Sequence, residues 1–158
     1  MQERTNAMVK KALSLVGGGY IYGATGWVCT PQRLKEQARQ YPQYADLIAR
    51  YGPQWIGKPC YDCAQLTRAI AAAGGVALPN GANLQWHADW LWQQKGTVSA
   101  MPDEAGLFLF TVRDATATHA GISIGRGECV DAPGHAYGVV RRRIRDASFT
   151  HWARLKGE

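Results

Sequence analysis

A cysteine and a histidine in this chain have sequence neighbours that suit a nucleophile and its general base. Cys63 begins a segment in which apolar residues recur three and four positions apart, with Asp62 as a suitable N-cap and a Gly-Gly pair at 74–75 as a suitable end. This pattern predicts a helix with Cys63 in its first turn. A free thiol is only a few per cent thiolate at neutral pH, and a helix N-terminus and a nearby imidazole both increase that fraction. For Cys63 considered by itself, the alternative is a buried, inert cysteine.

His119 lies in a segment that predicts a strand. Apolar runs separated by turn residues predict a β-meander over residues 107–112, 119–124 and 128–132. Side chains alternate between the two faces of a strand, so His119 is expected opposite Ile122 and Ile124, facing a groove. Asp131 follows in the adjacent strand, where its carboxylate can accept the imidazole N–H. Cys63, His119 and Asp131 would then be nucleophile, base and orienting carboxylate.

Five segments resemble, in the same order, the motifs of the NlpC-type cysteine peptidases of bacterial cell walls, a papain-like group. Residues 62–66, Asp-Cys-Ala-Gln-Leu, resemble the nucleophile motif Asp-Cys-Ser-Gly-Leu, and residues 119–125 resemble His-Val-Gly-Ile-Tyr-Ile-Gly. The other segments are residues 19–23, 76–79 and 102–110. The resemblance implies an α+β, papain-like domain in which N-terminal helices and a nucleophile helix pack on a mostly antiparallel β-sheet.

The same resemblance implies an activity and three catalytic residues. The reaction would be hydrolysis of amide bonds in peptidoglycan stem peptides after γ-D-glutamate, through a thioester, and we expect no cofactor and no metal. Cys63 would be the nucleophile, His119 the general base and then acid, and Asp131 the residue that fixes the imidazole tautomer. The family usually has His, Asn or Gln at the third position, so Asp131 is a departure, although a chemically competent one.

Three further residues are implied in substrate binding. Tyr20 would orient the substrate and stabilise the oxyanion, and Asp62 would bind a substrate amine. Ala64 stands where the family has a serine whose hydroxyl can touch the substrate, which affects specificity more than reaction class. The alternative for Asp62 is a role as helix N-cap alone, worth about 1 kcal/mol.

Other functions fit parts of the sequence. Cys60 and Cys63 form a Cys-x-x-Cys motif, but no buried strand precedes it as in a thioredoxin-like site, and no second close-spaced pair completes a zinc site. Under oxidation, Cys60 could form a disulfide with Cys63 or Cys29. A muramoyl-alanine amidase is the alternative enzyme, and a catalytically silent binding or structural module of a phage particle is the alternative from a different class.

Length and composition indicate one domain over residues 1–158, which we expect to be a monomer. The chain is 46% hydrophobic, enough for a single core, and carries no repeats or low-complexity linkers. Its formal net charge is +6, and arginines occupy positions 141–143 and 145. Because no nucleic-acid fold signature accompanies them, we interpret this basic run as a solvated strand face and expect no nucleic-acid partner. Such a surface would also attract anionic cell-wall polymers.

Residues 1–16 predict an amphipathic helix rather than a signal peptide, and no segment is apolar enough to insert into a membrane. A cell-wall substrate would then require delivery by a phage, by non-classical export such as a specialised secretion system, or by way of a missing N-terminal portion; otherwise we expect the chain to be cytoplasmic.

Two further helical segments are predicted. Residues 30–56 are interpreted as a helical insertion that begins at the N-cap Thr30 and breaks at Pro42. It could wall one end of the groove or form a hairpin remote from it. A helix is also predicted over residues 84–95, where the spacing of Trp86 and Trp90 favours a core position.

Overall fold

The computed structural model describes residues 2–157 and has mixed α+β architecture. Within these residues the α-helices are α1 (Gln2–Leu15), α2 (Pro31–Gln40), α3 (Ala45–Tyr51) and α4 (Cys63–Ala73). The strands are β1 (Gly19–Tyr20), β2 (Thr25–Val28), β3 (Pro59–Tyr61), β4 (Trp92–Thr97), β5 (Ala105–Arg113), β6 (Thr116–Gly125), β7 (Glu128–Gly134), β8 (Gly138–Arg143) and β9 (His151–Leu155). The predicted N-terminal helix is confirmed from residue 2 onward, and Met1 lies outside the described residues.

The larger sheet has the strand order β4-β9-β5-β6-β7-β8, and every neighbouring pair is antiparallel. Its centre is the meander of β5, β6 and β7, which the alternation and the turn residues predict correctly. In the register of β6 and β7, Gly121 lies opposite Asp131. His119 is therefore two residues from that pair on the same face of the sheet, within reach of the Asp131 side chain.

The smaller sheet, in the order β1-β3-β2, leads directly into the nucleophile helix. Strand β3 ends at Tyr61, and α4 begins two residues later at Cys63. Strand β1 runs parallel to β3 with Tyr20 opposite Tyr61. This pairing brings Tyr20, a residue 43 positions before Cys63 in the sequence, to the N-terminal end of α4.

Both faces of the larger sheet are buried. On one face, Leu66 and Ile70 of α4 and Met8 of α1 pack against Phe108 and Ile122. Fully burying side chains of this size contributes about 1.5–3 kcal/mol each. On the other face a second cluster forms, which contains Leu107, Leu109, Cys129, Phe149 and Trp152. Because successive residues of β5 enter opposite clusters, residues 107–110 form a continuous apolar run rather than an alternating one.

The helix predicted over residues 84–95 is wrong. A short 3-10 turn, Asn83–Gln85, is followed by β4, which pairs with β9 at the edge of the larger sheet. The indole Nε1 of Trp92 donates to the Gln85 carbonyl at 2.8 Å, which fastens the turn to the strand. Trp86 is in the core, as predicted, whereas Trp90 is 70% exposed. Pairing with the distant strand β9 outweighs the local helical spacing of the tryptophans.

The segment 30–56 is mostly helical, as predicted. The Thr30 hydroxyl accepts from the Arg33 N–H at 3.1 Å and caps α2. Pro42 begins the 3-10 turn that separates α2 from α3. Within residues 2–157, every helix is too short or too polar to cross a membrane.

Candidate active site

Cys63 is the first residue of α4, and Asp62 is its N-cap. One carboxylate oxygen of Asp62 accepts from the Gln65 N–H at 2.8 Å, and the other accepts from the Gly23 N–H at 3.1 Å. The first bond caps the helix, and the second ties the chain that follows β1 to the same point. Backbone N–H groups in the first turn of α4 and the positive end of its dipole therefore lie beside a half-buried thiol.

His119 is held between a carboxylate, a thiol and an aromatic ring. Its Nε2 lies 2.9 Å from Asp131 Oδ2, and its ring stacks on Phe149 with centroids 5.3 Å apart and planes 6° from parallel. The Asp131 contact occupies Nε2, and the Cys63 thiol lies close enough to strengthen proton binding by the imidazole. Burial lowers the pKa of His119, but the hydrogen bond to Asp131 and the nearby Cys63 outweigh it and raise the pKa to about 9.

Asp131 has a second partner that the sequence analysis missed. Its side chain has no exposed surface, and Arg142 of β8 donates from Nε to Oδ1 at 3.0 Å and from Nη2 to Oδ2 at 2.5 Å. The interpretation of residues 141–143 as a solvated face is thus wrong for Arg142. Its neighbour Arg141 does pair at the surface, with Glu128. The alternation of side chains along β8 could have revealed this partner, because it places Arg141 and Arg142 on opposite faces of the sheet.

A cavity of about 440 Å³ opens at the cysteine and the histidine. Its lining residues are Tyr20, Cys63, Thr111, Arg113, Thr118, His119, Pro133, Arg142, Asp146 and Ser148. The predicted nucleophile and base therefore share one groove with the predicted substrate-orienting tyrosine. The groove lies at the end of the sheet where α4 begins.

Tyr20 lies against His135, a residue that sequence reasoning did not single out. The two rings meet edge to face with centroids 4.8 Å apart. His135 is buried, accepts the Tyr22 N–H at Nε2 at 3.1 Å, and has a pKa that burial lowers to about 4. Burial, followed by the nearby Cys63 and Asp62, raises the pKa of Tyr20. Tyr20 is thus a protonated phenol, able to donate, on a neutral imidazole support.

The helical insertion contacts this support. Tyr44 stacks on Tyr22 with ring centroids 4.2 Å apart and lies 6.0 Å from His135. Gln37 of α2 donates to the Tyr22 carbonyl at 2.8 Å. The insertion is therefore not remote from the site, because it packs against the segment that carries Tyr20.

Ala64 is half-buried and presents only a methyl group, so it cannot supply the hydroxyl of the family motif.

Cys60 is fully buried, lies 3.5 Å from the Lys58 carbonyl, and has a pKa that burial raises to about 12. All four cysteines carry free thiols, and burial distinguishes Cys60 from the half-buried Cys63. Within residues 2–157, no three His, Cys, Asp or Glu side chains gather as a metal site would require.

The arrangement has the parts needed for nucleophilic acyl transfer. A thiol can pass its proton to Nδ1 while Asp131 stabilises the resulting imidazolium at Nε2. Backbone N–H groups of the first turn of α4 and the Tyr20 hydroxyl are donors on the same groove, where a carbonyl oxygen becomes negatively charged. The contact expected between His119 and Asp131 is present, and Cys63 lines the same cavity as His119. The roles of these three residues, with those of Tyr20, Asp62 and Ala64, stay predictions.

A family model and several solved structures are similar to this chain. The NlpC/P60 family model matches residues 50–155. The NlpC/p60 domain of the peptidoglycan hydrolase SagA is 19% identical with a TM-score of 0.62, over 94% of this chain and 97% of that domain. RipB, a peptidoglycan hydrolase from Mycobacterium tuberculosis, is 18% identical with a TM-score of 0.62, over 99% of this chain and 67% of that one.

A third solved structure is NlpC1 from Trichomonas vaginalis, 14% identical with a TM-score of 0.60, over 97% of this chain. The match covers 45% of that protein, so this chain spans less than half of its length. None of the curated protein sequences matches the chain. At these identities the structural similarity establishes the fold alone. The assignment of the chain to a family rests on the sequence match over residues 50–155.

Proposed function

Because this chain belongs to the NlpC/P60 family, within the papain-like cysteine peptidase superfamily, we propose that it hydrolyses amide bonds in peptidoglycan stem peptides. The observation that carries the proposal is the hydrogen-bonded pair His119–Asp131, which shares one cavity with Cys63 at the N-terminus of α4. A buried carboxylate aimed at an imidazole beside a thiol favours an enzyme over a silent binding module.

The reaction follows from the geometry in two halves. Cys63 Sγ attacks the carbonyl carbon of the amide while its proton is held on His119, whose pKa of about 9 keeps the imidazole protonated at neutral pH, and the negative oxygen is stabilised by N–H donors of the first turn of α4. His119 then gives the proton to the leaving amine, and the C–N bond breaks to leave a thioester. In the second half, His119 takes a proton from water, hydroxide adds to the thioester, and the thiol and a carboxylate product are released.

The bond after γ-D-glutamate is the one we propose for cleavage, as the resemblance to the family implies. A muramoyl-alanine amidase would use the same chemistry on the amide bond between muramic acid and the first alanine of the stem. The two activities release different fragments, so the product masses distinguish them directly.

Asp62 supports a substrate with a free amine. Both of its oxygens accept backbone N–H groups, yet within residues 2–157 no lysine, arginine or histidine forms an ion pair with it. Burial raises its pKa, which shows how costly the charge is at this position. An ammonium group on the substrate would compensate that charge next to Cys63.

A peptidoglycan substrate lies outside the cytoplasm, so the proposal includes delivery of this chain to the bacterial wall. The formal net charge of +6 favours contact with anionic wall polymers on arrival.

The experiment is a digest of purified muropeptides, analysed by mass spectrometry, with wild type and Cys63→Ala. We expect fragments that end in γ-D-glutamate with wild type and none with the variant. Release of whole stem peptides from muramic acid would identify an amidase instead. No cleavage, combined with no labelling of Cys63 by a thiol-reactive probe at mildly acidic pH, would favour the silent module.

A further inference from the structure

Arg142 and His119 bind the same carboxylate from two different strands. Asp131 Oδ2 lies 2.9 Å from His119 Nε2 and 2.5 Å from Arg142 Nη2, and Oδ1 lies 3.0 Å from Arg142 Nε. The Asp131 side chain is 0% exposed, so water does not solvate it. His119 and Arg142 therefore provide most of the compensation for the negative charge of Asp131.

One imidazole alone would hold this carboxylate poorly. A buried ion without solvent needs several hydrogen bonds, and a single N–H···O contact leaves the carboxylate free to rotate about its own bond. The guanidinium of Arg142 supplies two parallel N–H donors in a fixed plane, which is the geometry that orients a carboxylate. With Oδ1 and Oδ2 both fixed in this way, Oδ2 is aimed at Nε2.

We propose that Arg142 is a positioning residue that acts through Asp131 to fix the orientation and proton affinity of His119. The inference rests on the proposed function, because it concerns the same reacting group. Arg142 reaches Asp131 diagonally from β8, since Val140 is opposite Asp131 and Arg142 is opposite Cys129. The family usually has an uncharged residue or a histidine at position 131. The buried carboxylate of Asp131 instead needs a cation, and Arg142 supplies it.

Arg142 also sets the pH at which His119 loses its proton. The carboxylate of Asp131 holds the proton on His119, and the positive charge of Arg142 beside that carboxylate offsets its negative charge and weakens proton binding by the imidazole. Removal of that charge makes the pair bind its proton more tightly. The ionisable groups around the pair are Cys63 of α4, Cys129 of β7 and Arg142 of β8, with Asp146 beside Arg142 and with Tyr20 of β1 and Arg113 of β5 on the same cavity.

The matched control is on the same strand. Arg141 also makes two donor contacts to a carboxylate, Glu128, at 3.2 and 2.9 Å, but on the exposed face. Arg141→Gln therefore removes an arginine–carboxylate pair from β8 without touching Asp131. We expect its kinetics to match wild type.

Two readouts test the inference. We expect Arg142→Gln to lower kcat/KM on a stem peptide by ~10- to 100-fold, as when a group that orients a reacting residue is lost. The alkaline midpoint of kcat/KM, near pH 9 in wild type from the pKa of His119, should move upward by ~1 pH unit. Arg142→Lys, which keeps the charge but not the paired donors, should leave that midpoint in place while losing part of kcat.

A double-mutant cycle separates positioning from substrate contact, since Arg142 also borders the groove. If Arg142 acts through Asp131, Arg142→Gln should cost no further kcat/KM, to within ~2-fold, in an Asp131→Asn background. An additive loss would overturn the inference, as would a pH profile of Arg142→Gln that coincides with wild type. Should Arg142→Gln alone fail to fold, Arg142→Lys and the double variant decide, because neither leaves a buried carboxylate without a cation.

The pH titration of the His119 imidazole followed by NMR, with its signals assigned by comparison with His119→Ala, gives the same midpoint without any peptidoglycan. If wild type cleaves no muropeptide while the NMR midpoint still moves in Arg142→Gln, the proposed function fails and this inference stands. If wild type cleaves muropeptides and neither midpoint moves, the inference alone fails.

Discussion

Asp131 Oδ2 lies 2.9 Å from His119 Nε2 across two neighbouring strands, and this contact depends on a glycine between them. Gly121 faces Asp131 in the register of β6 and β7. A Cβ at position 121 would lie 2.9 Å from Asp131 Cβ and 2.9 Å from Phe149 Cζ. The missing side chain therefore makes room both for the carboxylate and for the ring on which His119 stacks.

The first prediction concerns the nucleophile. Cys63→Ala should lower hydrolysis by at least ~10⁴-fold, the scale of losing the nucleophile of a catalytic triad. It should change the free energy of unfolding by no more than about 1 kcal/mol, because the thiol is only half-buried. Cys60→Ser is the control in the same motif and should keep activity, since that thiol is buried away from the groove. An inactive Cys60→Ser with an active Cys63→Ala would reverse the assignment.

A second prediction concerns the base and its carboxylate. Asp131→Asn keeps the shape but weakens stabilisation of the imidazolium and favours the wrong tautomer, so kcat should fall between ~10- and 10⁴-fold. Asp131→Ala should lose at least as much, because it also leaves the ring unsupported. His119→Ala should be worse still. Steady-state rates on one stem peptide rank the variants, and wild-type rates in both Asp131 variants would mean that another group orients His119.

The raised pKa of His119 predicts a pH-dependent stability. A histidine whose folded pKa is about 9 stabilises the fold fully below its unfolded value of ~6.5, and this contribution is lost as pH rises through 9. The free energy of unfolding of wild type, from denaturant titrations, should thus decline between these pH values. Asp131→Asn should flatten the decline because it removes the main partner of the imidazolium. Equal slopes in the two proteins would show that the pair does not contribute.

Gly121 gives a prediction about packing around the base. Gly121→Ala should lower kcat/KM by ~10-fold or more and destabilise the fold by about 1–3 kcal/mol, because Asp131 or Phe149 must move. Gly134→Ala in the neighbouring strand is the matched control, since the nearest atom to its added Cβ is 4.0 Å away. We expect that control to keep wild-type rates and melting temperature. Loss of activity in both variants would point to the strands in general rather than to this contact.

Local patterns account for the parts of the site that the sequence predicts. The helix after Asp62 and the meander that carries His119 and Asp131 follow from periodicity within windows of about 10–20 residues, a range where side-chain spacing and capping dominate. The adjacency of the two strands then places His119 within reach of Asp131. For this reason the core of the site is predictable from the amino-acid sequence.

The remainder depends on long-range contacts that no local pattern encodes. Strand β4 forms because β9, more than 50 residues later, pairs with it. Arg142 belongs to the site because β8 docks against β7 in one register, and a shift of one residue would have exchanged the faces of Arg141 and Arg142 and sent Arg142 to solvent. His135 supports Tyr20 through a hairpin that folds back under β1. Each of these results is decided by tertiary packing rather than by spacing along the chain.

The last prediction concerns substrate choice at Asp62, which has no cationic partner in the part of the chain that the structure describes. We expect wild type to cleave a stem peptide with a free N-terminal amine at least ~10-fold faster than its N-acetylated form, because only the free amine compensates the buried charge. Asp62→Ser can still cap α4 through the Gln65 N–H but carries no charge, so it should lose this preference. Kinetics on the two peptides with both proteins decide the point. An unchanged preference in Asp62→Ser would assign Asp62 to capping α4 and holding Gly23, and would favour an enzyme that works on intact, glycan-attached stems.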